Sequence, residues 1–542
     1  MAWVLVLPPF EGFDETAHYS SIREIADSHT LPKYGTSKIA AVVEAYGMQA
    51  PLPFMQQHGV MIKEPVSYRT FMQDDAAHDT FAQAFVATPG IPRRFVPGSS
   101  LNWQAQHPPL YYLLMAPIMR ATDGLSFVMQ LMVLRAMSWA MAVVGFAIGI
   151  QGMVRYMRRC RPQGSAATGC CDAGTQLQCA CMTFPMLVPM FFPEFARLGN
   201  DALCLLVFGS AWALLLGMID RAPSVSRAAA LGACLGVGLL TKAFFIPVAL
   251  GALGCLAWMA SRSRVAGMNR AHALRDIAVA AVIAVVIGGW WYASALTNHG
   301  VLSGSHDLIT LDQEGGMLAG LKENFAWPHL GRGIAAFLVT AYFAGTWTLA
   351  RLPEWLYAPG LLAIGVLCIT ALRAPREARV GRLMAVALWI TLPMLAALGY
   401  YLLVRIAQGT GGHGAPGWYM NILAPACAVP LGIGLVAIMR LPRAAWAVMV
   451  IWLWAMIFVT LAFWMHAALY AGVAVKNMET RHLTCPDGWS SLLHVVEIHG
   501  HIAIFGWPTA SLLCLGAGTL LSLMAMPGWI RTSPESTTAS GT

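Results

Sequence analysis

Asp14, Glu15 and His18 open a polar segment in the string EGFDETAHYSSIREI, directly after the short apolar start of the chain. Helical spacing sets Asp14 and His18 on one face and turns Glu15 aside. A carboxylate so placed can take a proton from a hydroxyl, which makes Asp14 and Glu15 the candidate catalytic residues. The same pattern fits plain helix capping, with Asp14 at the N-cap and Glu15 complementing the helix dipole. Further ionisable residues predicted at the same membrane face favour chemistry. They are His107 in QHPPLYY, Glu194, Arg197 and Asp201 in FPEFARLGND, Lys242 in LLTKAFF, Arg405 in YLLVRIAQG, and His299, His306 and Asp307 in TNHGVLSGSHD. For Lys242 and Arg405, at span ends, snorkelling to water is the ordinary alternative. Cations, imidazoles and carboxylates converging from several spans suit an anionic, lipid-linked substrate. His18, His107, Arg197, Asp201, Lys242 and Arg405 are the candidate binding residues, with Arg and Lys on phosphate.

The elements that must hold these groups are membrane helices. The chain has 542 residues, 57% of them hydrophobic and 11% charged, and a mean hydropathy of +0.60, against roughly 25% charge in a soluble domain. A water-soluble fold is excluded. Apolar spans are predicted at 127–156, 182–194, 202–218, 228–240, 244–260, 277–296, 355–372, 383–403, 419–439, 444–465 and 502–526. With the apolar start this gives an all-α polytopic membrane protein of about twelve transmembrane helices. The large first loop, 14–107, carries short amphipathic stretches such as TSKIAAVVEAYG, and HPPLYYLLMAPIMR reads as an interfacial helix. GIAAFLVTAYFAGTWTLA, in a second loop after Thr297, is a span or an interfacial helix.

Basic residues decide between these. Arg155, Arg158, Arg159 and Arg161, then Arg262, Arg264, Arg270 and Arg275, then Arg373, Arg376, Arg379 and Arg382 form three clusters between spans. All three fall on the cytoplasmic side only if neither HPPLYYLLMAPIMR nor GIAAFLVTAYFAGTWTLA crosses. The net charge of +8 is thus a topology signal, and no nucleic-acid partner is expected. The chain divides into 1–300, 301–526 and a polar cytoplasmic tail, 527–542, expected to be disordered. The start, MAWVLVLPPF, is too short to span, so the chain as written is expected to begin inside its first transmembrane helix. Cys160, Cys170, Cys171, Cys179 and Cys181 crowd one stretch without paired C-x-x-C spacing. They read as free thiols, with a metal site the alternative. Cys485 stands alone on the opposite side.

The DE pair after the first span, HPPLYY, RLGND opening a span, LTK ending another, and WWYASALTNHG before a loop resemble the GT-C superfamily of polyprenyl-phosphate-sugar-dependent glycosyltransferases. The protein O-mannosyltransferase, lipid A aminoarabinose transferase and rhizobial core-sugar transferase groups are the most similar in pattern. The resemblance covers Leu7 to about Asp307. It implies an outward-facing site in which Asp14 matches the catalytic acid of the first outer loop. His107 stands where relatives carry Lys or His near the lipid phosphate, and Asp201 matches a second acidic position. One departure is GWYMN, where many relatives show an Arg-Tyr pair, so the resemblance does not carry a phosphate contact over to Trp418.

The expectation is a transferase in a bacterial inner membrane. It moves a sugar from a polyprenyl-phosphate-sugar donor to a lipid, glycan or protein acceptor hydroxyl by a single inverting displacement. Trp290, Trp291, Tyr292 and Trp347 are placed either to line a groove for the isoprenoid tail or to anchor helices at the interface. No cofactor is assigned from the sequence. A divalent cation on Glu15, His18 or Asp201 is left open, since the spacing matches no metal motif. Two alternatives stand beside this. A surface-polysaccharide ligase or polymerase would place its chemistry around His306, His413 or His494. A transporter of lipid-linked or anionic cargo would need midplane charges and paired broken helices.

Overall fold

Long apolar runs become long helices, because backbone polar groups in lipid must be satisfied within the segment. A computed structural model describes residues 1–53, 66–87, 94–159, 173–219, 221–262, 270–374, 377–412, 414, 416–441, 445–477 and 480–531. Among these, seven helices are long and apolar enough to cross a membrane: Phe127–Arg158, Asp201–Met218, Arg270–His299, Glu354–Arg373, Ala378–Ala407, Gly417–Met439 and Trp446–Tyr470. Shorter apolar helices span Leu110–Ala121, Val225–Leu239, Phe245–Ser261 and Pro508–Leu521. The chain is a helical, polytopic membrane protein.

The predicted span 182–194 is not one helix. Pro185, Pro189 and Pro193 recur every four residues and each removes an amide donor. The stretch breaks into Phe184–Leu187 and Phe191–Phe195, after a separate helix at Ala173–Met182. TSKIAAVVEAYG also divides, into a strand, Lys38–Ala40, and a helix, Ala41–Gln49. That strand pairs antiparallel with Pro97–Leu101 and draws together the two ends of the first polar segment. The second polar segment holds helices His306–Gln313, Met317–Asn324 and Trp327–Tyr342. A second ribbon joins Val475–Lys476 to Leu483–Thr484.

Two ends of the bundle are defined by contacts. At one, the Leu110 amide donates to Leu240 O at 3.1 Å, and Tyr292 Oη donates to Leu239 O at 2.8 Å. At the other, Tyr156 Oη donates to Arg379 O and Arg159 Nη1 to Gly217 O, both at 3.4 Å. The described members of the three basic clusters stand at helix termini of this second end; Arg161, Arg264 and Arg376 lie outside the described residues. So do Cys160, Cys170, Cys171, His413 and 532–542, while the helix Pro508–Arg531 runs into the segment read as a tail.

Helices Phe127–Arg158 and Asp201–Met218 meet backbone to backbone. A Cβ at Gly209 would lie 1.9 Å from Gly145 O, and one at Gly152 would lie 2.6 Å from Ala213 Cα. Glycine is required there by proximity. One hydrophobic core runs from Trp3 to Phe505, so 1–300 and 301–526 share it. The initial helix, Ala2–Val6, joins that core and accepts bonds at Leu5 O from the Trp507 amide (3.0 Å) and at Ala2 O from Ser511 Oγ (2.7 Å).

Candidate functional site

Asp14 precedes the helix Glu15–Ser28 at φ 57°, ψ 14°, a left-handed conformation that costs an L-residue roughly 1–2 kcal/mol. The Ala17 and His18 amides bond to its backbone oxygen at 3.0 and 2.9 Å, and its side chain makes no cap. The capping alternative is therefore set aside, because the carboxylate points elsewhere: Oδ1 accepts from Trp103 Nε1 at 2.8 Å. Trp103 belongs to a 3-10 turn, Trp103–Gln106, just before His107. Asp14 stays partly accessible between buried Phe13 and Glu15. Its surroundings push its pKa above the usual carboxylate value by desolvation, held back by the Trp103 bond and the charges of Arg197 and Lys242.

Glu15, expected to share the catalysis, is wholly buried and committed to Arg135. Arg135 donates from Nε to Oε1 at 2.7 Å and from Nη2 to Oε2 at 2.5 Å, and the Leu198 amide adds a bond at 2.9 Å. Arg135 also donates to Leu7 O (2.6 Å) and Pro8 O (2.7 Å). This network fastens the loop carrying Asp14 to the helix Phe127–Arg158. Glu15, expected among the catalytic residues, is thus fully enclosed, with both oxygens bonded to Arg135 and one also to the Leu198 amide.

The cationic side of the site comes from two segments. Arg197 Nη2 donates to Glu194 Oε1 at 2.5 Å and to Asp201 Oδ2 at 2.7 Å, and its Nη1 to Phe13 O at 2.9 Å. Lys242 Nζ donates to both Asp201 oxygens, at 2.8 and 2.9 Å. It lies 4.9 Å from the Phe244 ring centroid and 5.0 Å from that of Tyr419. All four charged side chains are buried. Desolvating such ions costs several kcal/mol each, so stability alone is a poor account of them. Gly12 makes room: a Cβ there would lie 2.3 Å from Arg197 Cβ.

His18 and His107 lie nearly parallel, 6.5 Å apart and 17° between planes, and His18 Nδ1 bonds Tyr112 Oη at 3.0 Å. Burial and the neighbouring cations lower both, His107 to about 3 and His18 well below its usual value. Both are neutral near pH 7, so they offer hydrogen bonds and not positive charge to a phosphate. Arg405 is occupied differently. It donates to Asp307 Oδ1 at 2.7 Å and Gln408 Oε1 at 2.9 Å, while Tyr401 Oη donates to Asp307 Oδ2 at 2.6 Å. The structure brings Asp14, His18, His107, Arg197, Asp201 and Lys242 together; Arg405 is engaged by Asp307 and Gln408.

Tyr292 and Trp347 are not surface aromatics. Tyr292 is buried, and Trp347 meets Phe13 edge-on at 5.1 Å, with Phe13 stacked on Trp418 at 4.3 Å. Trp290 remains 50% exposed. His306 bonds Tyr34, and His494 pairs with Glu497 at an exposed position. Among the described residues, no group of three or more His, Cys, Asp and Glu side chains is placed to hold a metal ion.

Sequence reasoning missed several members. Arg135 carried a usable signal, a charge inside an apolar span. Tyr112 stands in the HPPLYY motif, and Trp103 carried none. Nor did Glu11, a wholly buried carboxylate that accepts from Tyr68 Oη (2.6 Å), Thr346 Oγ1 (2.7 Å) and Thr348 Oγ1 (2.6 Å). Its backbone oxygen accepts from the Trp347 amide at 2.8 Å, which fixes the aromatic wall behind Phe13.

Fold and site thus define a polytopic α-helical membrane protein with a cluster of buried acids and bases at one end of its bundle. Solved structures similar to it include two of one protein. One is ArnT from Cupriavidus metallidurans bound to undecaprenyl phosphate, with 17% identity and a TM-score of 0.41 over 86% of this chain and 71% of that one. The other is the same protein in the apo state, with 16% identity and a TM-score of 0.40 over 91% and 74%. No protein-family model matches the chain, and no curated protein matches it.

Proposed function

We propose that this chain is an integral membrane glycosyltransferase that moves a sugar from a polyprenyl-phosphate donor to an acceptor hydroxyl on the non-cytoplasmic face. The observation that carries the reading is Asp14: a partly accessible carboxylate, spared from capping, beside a buried Arg197–Asp201–Lys242 network. An alcohol is a poor nucleophile at neutral pH, and a carboxylate with a raised pKa is a better base for it. The acceptor oxygen attacks the anomeric carbon as its proton passes to Asp14. The bond from that carbon to the phosphate oxygen breaks, and the electron pair leaves with the polyprenyl phosphate. Lys242 and Arg197 hold the charge that develops on the departing phosphate, with His107 and His18 as neutral donors. Asp201 and Glu194 fix the cations and limit their strength. One inversion results. The basic clusters at the opposite end support the orientation, since Lys and Arg are retained in the cytoplasm.

The test incubates purified protein in lipid with a panel of labelled polyprenyl-phosphate sugars and follows donor consumption. Asn tolerates left-handed backbone, so Asp14→Asn should leave expression and thermal stability unchanged while lowering transfer by about 10² to 10⁴. Full activity in that variant removes Asp14 from the mechanism.

A further inference from the structure

A cavity of about 790 Å³ opens between the first polar segment and the site end of the helix Arg270–His299, within the range of small-ligand sites. Its walls offer two kinds of surface. Trp291 and Tyr34 supply aromatic rings, while Glu24, Lys33, Lys38 and Asn298 supply polar and charged groups. Glu24 Oε1 accepts from Ser37 Oγ at 2.9 Å, yet its Oε2 is buried with no hydrogen-bond partner. Such an oxygen needs a donor. Tyr34 is braced by the His299 ring at 5.4 Å and by His306, so the ring is presented in a set orientation.

We propose that this cavity holds a saccharide unit of the acceptor. Sugars combine apolar C–H faces, which pack on aromatic rings, with hydroxyls that would bond the polar groups of the wall, among them Asn298 and Lys38. Lys33 and Lys38 add donors to the acceptors on the same wall, a mixture that suits a hydroxyl-bearing occupant. The position is suited to the role. The turn Trp103–Gln106 contributes Ala105 and Gln106 to the cavity wall, and from the same turn Trp103 touches Asp14. The acceptor assignment rests on the reading of Asp14 as base; saccharide binding does not.

Saturation-transfer NMR on the full-length protein in lipid nanodiscs would test this, using maltotriose, chitotriose and mannotriose as probes and glycerol phosphate as the anionic control. The expected result is transfer to at least one saccharide, stronger than to glycerol phosphate and reduced at least tenfold in Trp291→Ala. Asn298→Ala, at an exposed position, gives a second reading should Trp291→Ala fail to fold. No transfer to any saccharide, or transfer equal in wild type and Asn298→Ala and Trp291→Ala, overturns the proposal. Donor consumption is measured on the same samples. Donor consumed with no saccharide bound sinks the cavity assignment and leaves the transferase reading. Saccharide bound at Trp291 with no polyprenyl-phosphate sugar consumed sinks the acceptor role and the transferase reading together, leaving a saccharide site.

Discussion

Trp103→Phe isolates one hydrogen bond at the proposed base. Its indole Nε1 donates to Asp14 Oδ1 at 2.8 Å, and this bond opposes the desolvation that raises the Asp14 pKa. A hydrogen bond to a charged group contributes about 1.5–3 kcal/mol, and one pKa unit is about 1.4 kcal/mol. Full loss would therefore raise the Asp14 pKa by about 1–2 units. Partial access to water places the expectation at about 1 unit. A general base works ionised, so kcat/KM falls as pH drops through that pKa. In Trp103→Phe the acid limb of the kcat/KM profile should move to higher pH by about 1 unit, with the plateau at alkaline pH largely kept. The assay is donor consumption from about pH 4 to pH 9 on wild type and variant. A limb that stays in place, or moves to lower pH, would refute the assignment of Asp14 as the titrating base.

Three further outcomes are expected. Arg135→Leu leaves Glu15 buried and unpaired, which costs about 3–5 kcal/mol; in a thermal unfolding series, Glu15→Leu with Arg135→Leu should be less destabilised than the sum of the single changes, and strict additivity would count against the pair. Gly12→Ala drives a methyl into Arg197, so a loss of about 1–3 kcal/mol should accompany a fall in activity, and wild-type behaviour would contradict the close approach. Lys242→Ala should raise the donor KM about tenfold to a hundredfold, on the scale of one charge-assisted contact, while an unchanged KM would remove Lys242 from phosphate binding.

Spans and basic clusters were legible in the sequence because hydropathy and loop charge are local properties that need no partner. Asp14, His18, His107, Arg197, Asp201 and Lys242 could be chosen for the same reason, as ionisable groups at predicted span ends. What the sequence hid was pairing. Glu15 and Arg135 are 120 residues apart, and nothing local separates a carboxylate saturated by guanidinium from one awaiting a proton. Arg405 illustrates the converse: its place at a span end was correct, but Asp307 had already engaged it. Proline periodicity in 182–194 was visible, and hydropathy alone outweighed it wrongly.

The glycine contact between Phe127–Arg158 and Asp201–Met218 bears on how substrates get in. Where Gly145 and Gly209 touch, neither helix can slide without main-chain collision, so these two rods behave as a keel. Arg135 rides on one and Asp201 begins the other, so the anchors of the acid and of the cations cannot drift apart. Under the proposed transferase reading, whatever opens to admit a lipid tail belongs to a different wall, and the groups on the keel stay aligned while it does.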